Sequence, residues 1–215
     1  MAQRPVFVPL KKTPFVDVFM CDFTWNSGLA VSQKQKNIVA LHQSFQKRFP
    51  DRKVLEISSK SLQDLGIRLS AFNLLKYVPS LDRKVPVECV FQGGKVFSNG
   101  GPYTEMYDGT ARDAKRDPRL KSSGPLRRFF YEGKTMPLQP TTAFYNWLYI
   151  NALMENPELA QQVLEYDGFT DIELNPDKSR NCQAEAAALY VALHRKDLLE
   201  RCKDFDEFLL VLAGK

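Results

Sequence analysis

Residues 142–154, T-A-F-Y-N-W-L-Y-I-N-A-L-M, set Phe144, Leu148 and Asn151-Ala152 at i, i+4 and i+7/8, with Trp147, Ile150 and Leu153 widening the apolar stripe. That period predicts a core-facing helix. Toward the C-terminus, Asn156-Pro157-Glu158 reads as a helix start, with Asn at N-cap and Pro in the first turn, and Gly168 as its stop. Phe169 to Leu174 then has the pattern of a strand closed by Pro176, and the Ala-rich run from Gln183 to His194 predicts another helix. Toward the N-terminus, Phe15 to Met20 reads as a buried strand and Trp25 to Gly28 as a turn. Ser32 and Gln35 have the spacing of a capping box, and Ile38, Leu41 and Phe45 recur at helical spacing, which predicts a helix from Gln33 to Phe49. Val54 to Ile57 reads as a second strand, and the polar Ser58-Ser59-Lys60-Ser61 follows it. Gly93-Gly94 and Gly100-Gly101-Pro102 predict a compact loop in the middle of the chain. The fold class expected from these elements is α+β, mainly helical.

Composition narrows the function classes. At 215 residues and 44% hydrophobic, the chain is long and apolar enough for one full core. Its mean hydropathy of −0.34 and the lack of an apolar run near the roughly 20 residues of a spanning helix argue against a membrane protein. The opening Met1-Ala2-Gln3-Arg4-Pro5 has no secretory pattern, so a cytoplasmic protein is expected. Cys21, Cys89, Cys182 and Cys202 form no C-x-x-C pair, and His42 and His194 are the two histidines, so neither a zinc site nor a disulfide framework is expected. The net charge of +5 is concentrated: Thr110 to Lys134 holds Arg112, Lys115, Arg116, Arg119, Lys121, Arg127, Arg128 and Lys134 against Asp113, Asp117 and Glu132. Such a cluster fits either a solvated face or an anionic partner.

The chain has no phosphate-binding Gly-rich loop, no H-E-x-x-H and no G-x-S-x-G, which lowers the weight of NTPases, zincins and α/β-hydrolases. What remains is a set of carboxylates and lysines beside polar turns. Residues 85–97, V-P-V-E-C-V-F-Q-G-G-K-V-F, carry the more specific signal. They resemble the signature of the NADAR (YbiA-like) superfamily, a Pro followed by Glu-His, two apolar or aromatic positions and Gln-Ala-x-Lys. Glu88, Phe91, Gln92 and Lys95 fall on the matching positions, while Cys89 stands for the usual His and Gly93 for the usual Ala. Leu69-Ser70-Ala71-Phe72 is similar to the family's L/F-S-N-F motif, Lys60 lies where many members carry a lysine, and Lys178-Ser179-Arg180-Asn181 is similar to the K-G-K-N run before the last helix. Glu56 to Lys60, Asn99 to Tyr103 and Thr170 to Glu173 resemble most the antitoxins paired with DNA-guanine ADP-ribosyltransferase toxins. The similarity spans about residues 55–195. It therefore implies an N-terminal extension at 1–50 packed on a NADAR-like catalytic domain at 51–215.

That resemblance implies an ADP-ribosyl glycohydrolase that removes ADP-ribose from guanine in DNA, a DNA-repair activity that makes it an antitoxin. Its partners would be the ADP-ribose moiety, ADP-ribosylated DNA and the cognate toxin, with no cofactor and no metal. Glu88 is then the principal carboxylate and Glu173 or Asp177 the second, Asp171 being a further possibility for the late acid. Lys60, and after it Lys95, is the candidate for a lysine that attacks the ribose C1 carbon. Ser70, Phe72, Phe91, Gln92, Lys95 and Asn181 are candidate ligand contacts, as is Trp147, which stands near the family's catalytic tryptophan but also on an apolar helix stripe. The backbones of Gly100 and Gly101 could approach a pyrophosphate, and Arg112, Lys115 and Arg116 could contact phosphates. Two other readings stay open. One is an N-glycosidase acting on a small nucleotide or riboflavin-pathway intermediate; the other is a non-catalytic binding module or an antitoxin that sequesters its toxin.

Overall fold

A computed structural model describes residues 2–174 and 182–215. The N-terminal hairpin pairs β1 (Ala2–Pro9) with β2 (Val16–Phe23) antiparallel, and α1 (Val31–Arg48) packs on it. The chain then forms β3 (Val54–Glu56), α2 (Asp64–Arg68), the β4 (Leu75–Val78) and β5 (Arg83–Pro86) hairpin, α3 (Val87–Gly93) and β6 (Lys95–Phe97). Next come α4 (Ala111–Arg116), α5 (Arg119–Ser122), β7 (Leu126–Tyr131) and β8 (Lys134–Met136). The last third holds α6 (Ala143–Met154), α7 (Pro157–Val163), β9 (Gly168–Thr170), α8 (Gln183–His194) and α9 (Phe205–Leu212).

The strands correct the expectation of a mainly helical domain. Among the described residues nine strands form three sheets, ordered β2-β1-β9-β3, β4-β5 and β6-β7-β8, so the fold is mixed α+β. Strands β4, β6 and β8 are only three or four residues long, which is why periodicity did not announce them. In the first sheet Phe7 of β1 faces Phe169 of β9, and β9 runs parallel to β3, with Leu55 beside Phe169 and Glu56 beside Thr170. The N-terminal hairpin thus shares a sheet with β9 and β3.

Helix α6 departs from the one-faced helix its spacing predicts: every residue from Ala143 to Leu153 is buried. It lies in the middle of the molecule, packed by α3, α8, α9 and β4, so no face is left for solvent. Its Tyr149 is fully buried and donates its hydroxyl hydrogen to Leu69 O at 2.8 Å. The capping box expected at Ser32 is also corrected: α1 starts two residues earlier, with Ala30 at N-cap and no side-chain cap. Gly168 opens β9 instead of closing α7.

The predicted central loop is found at 98–103, whereas Gly93-Gly94 lies at the junction of a helix and a strand. Gly93 and Gly94 end α3 by close packing: a Cβ on Gly93 would lie 2.9 Å from Tyr103 O, and one on Gly94 2.8 Å from Phe130 O. Gly101 has φ +88°, and a Cβ there would come within 2.2 Å of Lys95 O. Gly101→Ala is therefore expected to destabilise the protein by about 2 kcal/mol or more. Thermal unfolding checks this, and an unchanged Tm would contradict the packing described.

Candidate active site

Helix α3 starts directly after Pro86 of β5, and its first turn is tied down by Glu88 N–H donating to Ala71 O at 2.9 Å. Four residues on, Gln92 lies on the same face of the helix. Gln92 Nε2 donates to Glu88 Oε1 at 2.9 Å, and Lys95 Nζ donates to Gln92 Oε1 at 2.7 Å, so one amide joins a buried carboxylate to an ammonium. Glu88 is 5% and Gln92 7% exposed. Lys95 Nζ also lies 4.7 Å from the centre of the Phe91 ring, whose other neighbours are Phe129, Phe144 and Tyr145. Burial pushes the Lys95 amine down to about 8, against the opposing pull of Glu88 and with a smaller push from Lys115.

Lys115 reaches in from α4. Its Nζ is 3.9 Å from Glu88 Oε1 and 5.1 Å from the centre of the Phe72 ring. Phe72 and Phe91 thus flank the two cations that stand around Glu88. Cys89, at the position of the superfamily histidine, is buried with its thiol pushed up to about 11, chiefly by burial and then by Glu88, so it offers no thiolate at neutral pH.

The late acidic segment approaches through a hydrogen-bonded clamp. Gln183, the first residue of α8, accepts from Ala71 N–H at 2.8 Å and donates through Nε2 to Asp171 Oδ2 at 3.1 Å. Ala71 O in turn holds Glu88 N–H. The backbone of one residue, Ala71, therefore links the acid at the end of β9 to the acid at the start of α3. Burial, and then the Glu56 charge, hold the Asp171 carboxyl well above the usual carboxylate range, while Lys115 pulls the other way. Glu173 turns elsewhere: its carboxylate pairs with Lys34 of α1 at 3.1 Å.

The other candidates divide. Lys60 is half-buried, and its ammonium donates to Ser59 Oγ at 3.1 Å, outside the Glu88–Lys95 line. Ser70 Oγ is spent on Ile67 O at 2.7 Å. Trp147 is packed among Phe144, Tyr131 and Phe205, with its Nε1 donating to Lys203 O at 3.3 Å. Gly100 O accepts from Phe97 N–H at 2.7 Å, and the space a Gly100 Cβ would need holds the Tyr103 hydroxyl. Arg112 and Arg116 are exposed on α4, which packs against α3. Asp177 and Asn181 lie outside the described residues. Gln183, Tyr145 and His42 were not singled out by sequence reasoning, and only the Ala-rich helix start pointed near Gln183.

A family model described as the DarT1-associated NADAR antitoxin matches residues 2–215. The chain belongs to that family. Its first 50 residues lie within the matched range. A search of curated proteins finds no match. Among the described residues no group of three His, Cys, Asp or Glu side chains is placed to hold a metal ion, and no helix is long and apolar enough to cross a membrane.

The amine of Lys95 supplies a direct check on this geometry. Reaction with an amine-selective acylating reagent should show a midpoint near pH 8 at Lys95. Glu88→Gln removes the charge that favours the ammonium, so the midpoint should fall; Lys115→Met removes a repelling charge, so it should rise. Peptide mapping across a pH series reads both shifts, and a midpoint indifferent to both substitutions would contradict the arrangement.

Proposed function

We propose that this antitoxin removes ADP-ribose from guanine in DNA by hydrolysing the N-glycosidic bond that joins the ribose C1 to the base. The observation that carries the reading is the buried Glu88–Gln92–Lys95 line next to the exposed basic side of α4. Cleavage of such a bond develops positive charge on the ribose ring, which a carboxylate in a water-poor site stabilises. A water attacking C1 passes a proton to Glu88. The electron pair of the C1–N bond stays with the guanine nitrogen, which takes a proton from Asp171. Phe72 and Phe91 provide apolar walls, of which Phe72 is the more open.

One observation favours DNA over a small nucleotide. Arg112, Arg116, Lys121, Arg127 and Arg128 are exposed and make no ion pair among the described residues, whereas Arg119 is taken up by Asp117 and Glu105. A run of free cations beside the site matches a phosphate backbone, which a small substrate lacks. The lowered Lys95 amine also favours a second chemical route, in which Lys95 attacks C1 and holds the opened sugar as an imine before water releases it.

With an oligonucleotide carrying ADP-ribosylated guanine, Glu88→Gln should keep binding and lose turnover by about 100-fold or more. Undiminished turnover would remove Glu88 from the mechanism. Paired Arg112→Glu and Arg116→Glu should weaken binding by about tenfold or more at low salt and by less at high salt. Equal affinity at both salt levels would favour the small-substrate reading. Borohydride added during turnover distinguishes the routes, since a trapped adduct on Lys95 would select the imine.

A further inference from the structure

Behind Asp171 lies a hydrogen-bonded chain that crosses from the N-terminal helix into the sheet. Thr170 Oγ1 donates to Glu56 Oε2 at 2.6 Å, and Ile172 N–H donates to Glu56 Oε1 at 2.8 Å. A hydroxyl has one hydrogen, and here it is committed to Glu56. The contact of 2.8 Å between Thr170 Oγ1 and His42 Nε2 therefore needs the hydrogen on the imidazole. Burial pushes the His42 imidazole down to about 4, so at neutral pH the ring is uncharged, with its hydrogen on Nε2. The direction of the whole chain is fixed: His42 Nε2–H to Thr170, Thr170 O–H to Glu56.

We propose that His42 is a positioning residue for Asp171: acting through Thr170, it holds Glu56 as the ionised member of a buried carboxyl pair and so keeps the proton on Asp171, which gives it to the departing base nitrogen. The inference rests on the role proposed above for Asp171. Burial raises both carboxyls; Glu56 is relieved by Thr170, Ile172 and Ser58, Asp171 by Glu173 N–H at 3.0 Å and by Gln183, and the Glu56 charge raises Asp171 further. The other titratable groups around the pair, among the described residues, are Glu173 on the same loop, Lys115 from α4, Tyr145 and Tyr149 from α6, and Cys182 ahead of α8. Lys115 is the basic member and acts against the raised Asp171 proton affinity, which burial sustains first and the ionised Glu56 second. The proton balance is simple. Asp171 loses one proton to the base in the bond-breaking step, Glu88 gains one from water, and solvent exchange restores both.

The test uses His42→Leu, which removes the donor, His42→Gln, whose amide N–H can take the place of Nε2–H, and Thr170→Val, which keeps shape and removes the relay. Two readouts are taken on the full chain: the Asp171 carboxyl titration by carbon NMR, which needs no turnover, and the pH dependence of ADP-ribose release from the modified oligonucleotide. In His42→Leu and Thr170→Val the Asp171 midpoint and the alkaline limb of the rate profile should both move down by about half a pH unit or more, and His42→Gln should stay close to the parent. An unmoved midpoint in both donor-less variants overturns the proposal, as does a loss of rate that is even across pH. A midpoint that moves in a protein releasing no ADP-ribose at any pH would retain the electrostatic relay and reject the catalytic reading on which its purpose rests. If His42→Leu does not fold, Thr170→Val carries the same test.

Discussion

Glu88 can be buried because its neighbours satisfy it without neutralising it. An isolated carboxylate taken out of water costs several kcal/mol, and a lysine removed with it costs as much again. Gln92 meets both demands by offering its N–H to the acid and its carbonyl to the ammonium. Much of the architecture around α3 maintains that geometry. The β4-β5 hairpin delivers the chain to Pro86, and Ala71 pins the first turn of α3. The tightly packed Gly93 and Gly94 allow Lys95 to turn back over Phe91 directly after the helix.

The same demand explains why α6 and α8 are buried on nearly every side. A site whose lysine is held near pH 8 needs apolar walls, and Phe91 is backed by Phe129, Phe144 and Tyr145. The N-terminal hairpin and α1 close the other side. They pair with β9, bring Lys34 to Glu173 and His42 to Thr170, and so set which of the late acids faces inward.

Much of the helical part could be read directly in the sequence. The Ala-rich α8 and the aromatic α6 lie where their patterns put them, and the P-V-E-C-V-F-Q-G-G-K stretch pointed to Glu88, Gln92 and Lys95 before any geometry was known. Its local structure was not legible, since Gly93-Gly94 has the composition of a loop and only the contacts with Tyr103, Tyr107 and Phe130 explain it as a packed helix end. Strands β4, β6 and β8 stayed hidden because three or four residues cannot display a period. Choosing among Asp171, Glu173 and Lys60 as partners of Glu88 needed distances. Sequence spacing treats Asp171 and Glu173 alike, whereas the fold gives one to Gln183 and the other to Lys34.

The most direct measurement is the intact mass of a single-stranded oligonucleotide carrying one ADP-ribosylated guanine, followed over time with the full chain in the presence of EDTA. The account predicts return to the mass of the unmodified strand, guanine retained, with free ADP-ribose released in equal amount. An unchanged strand, or an abasic strand formed by breaking the bond between guanine and its own deoxyribose, would contradict it.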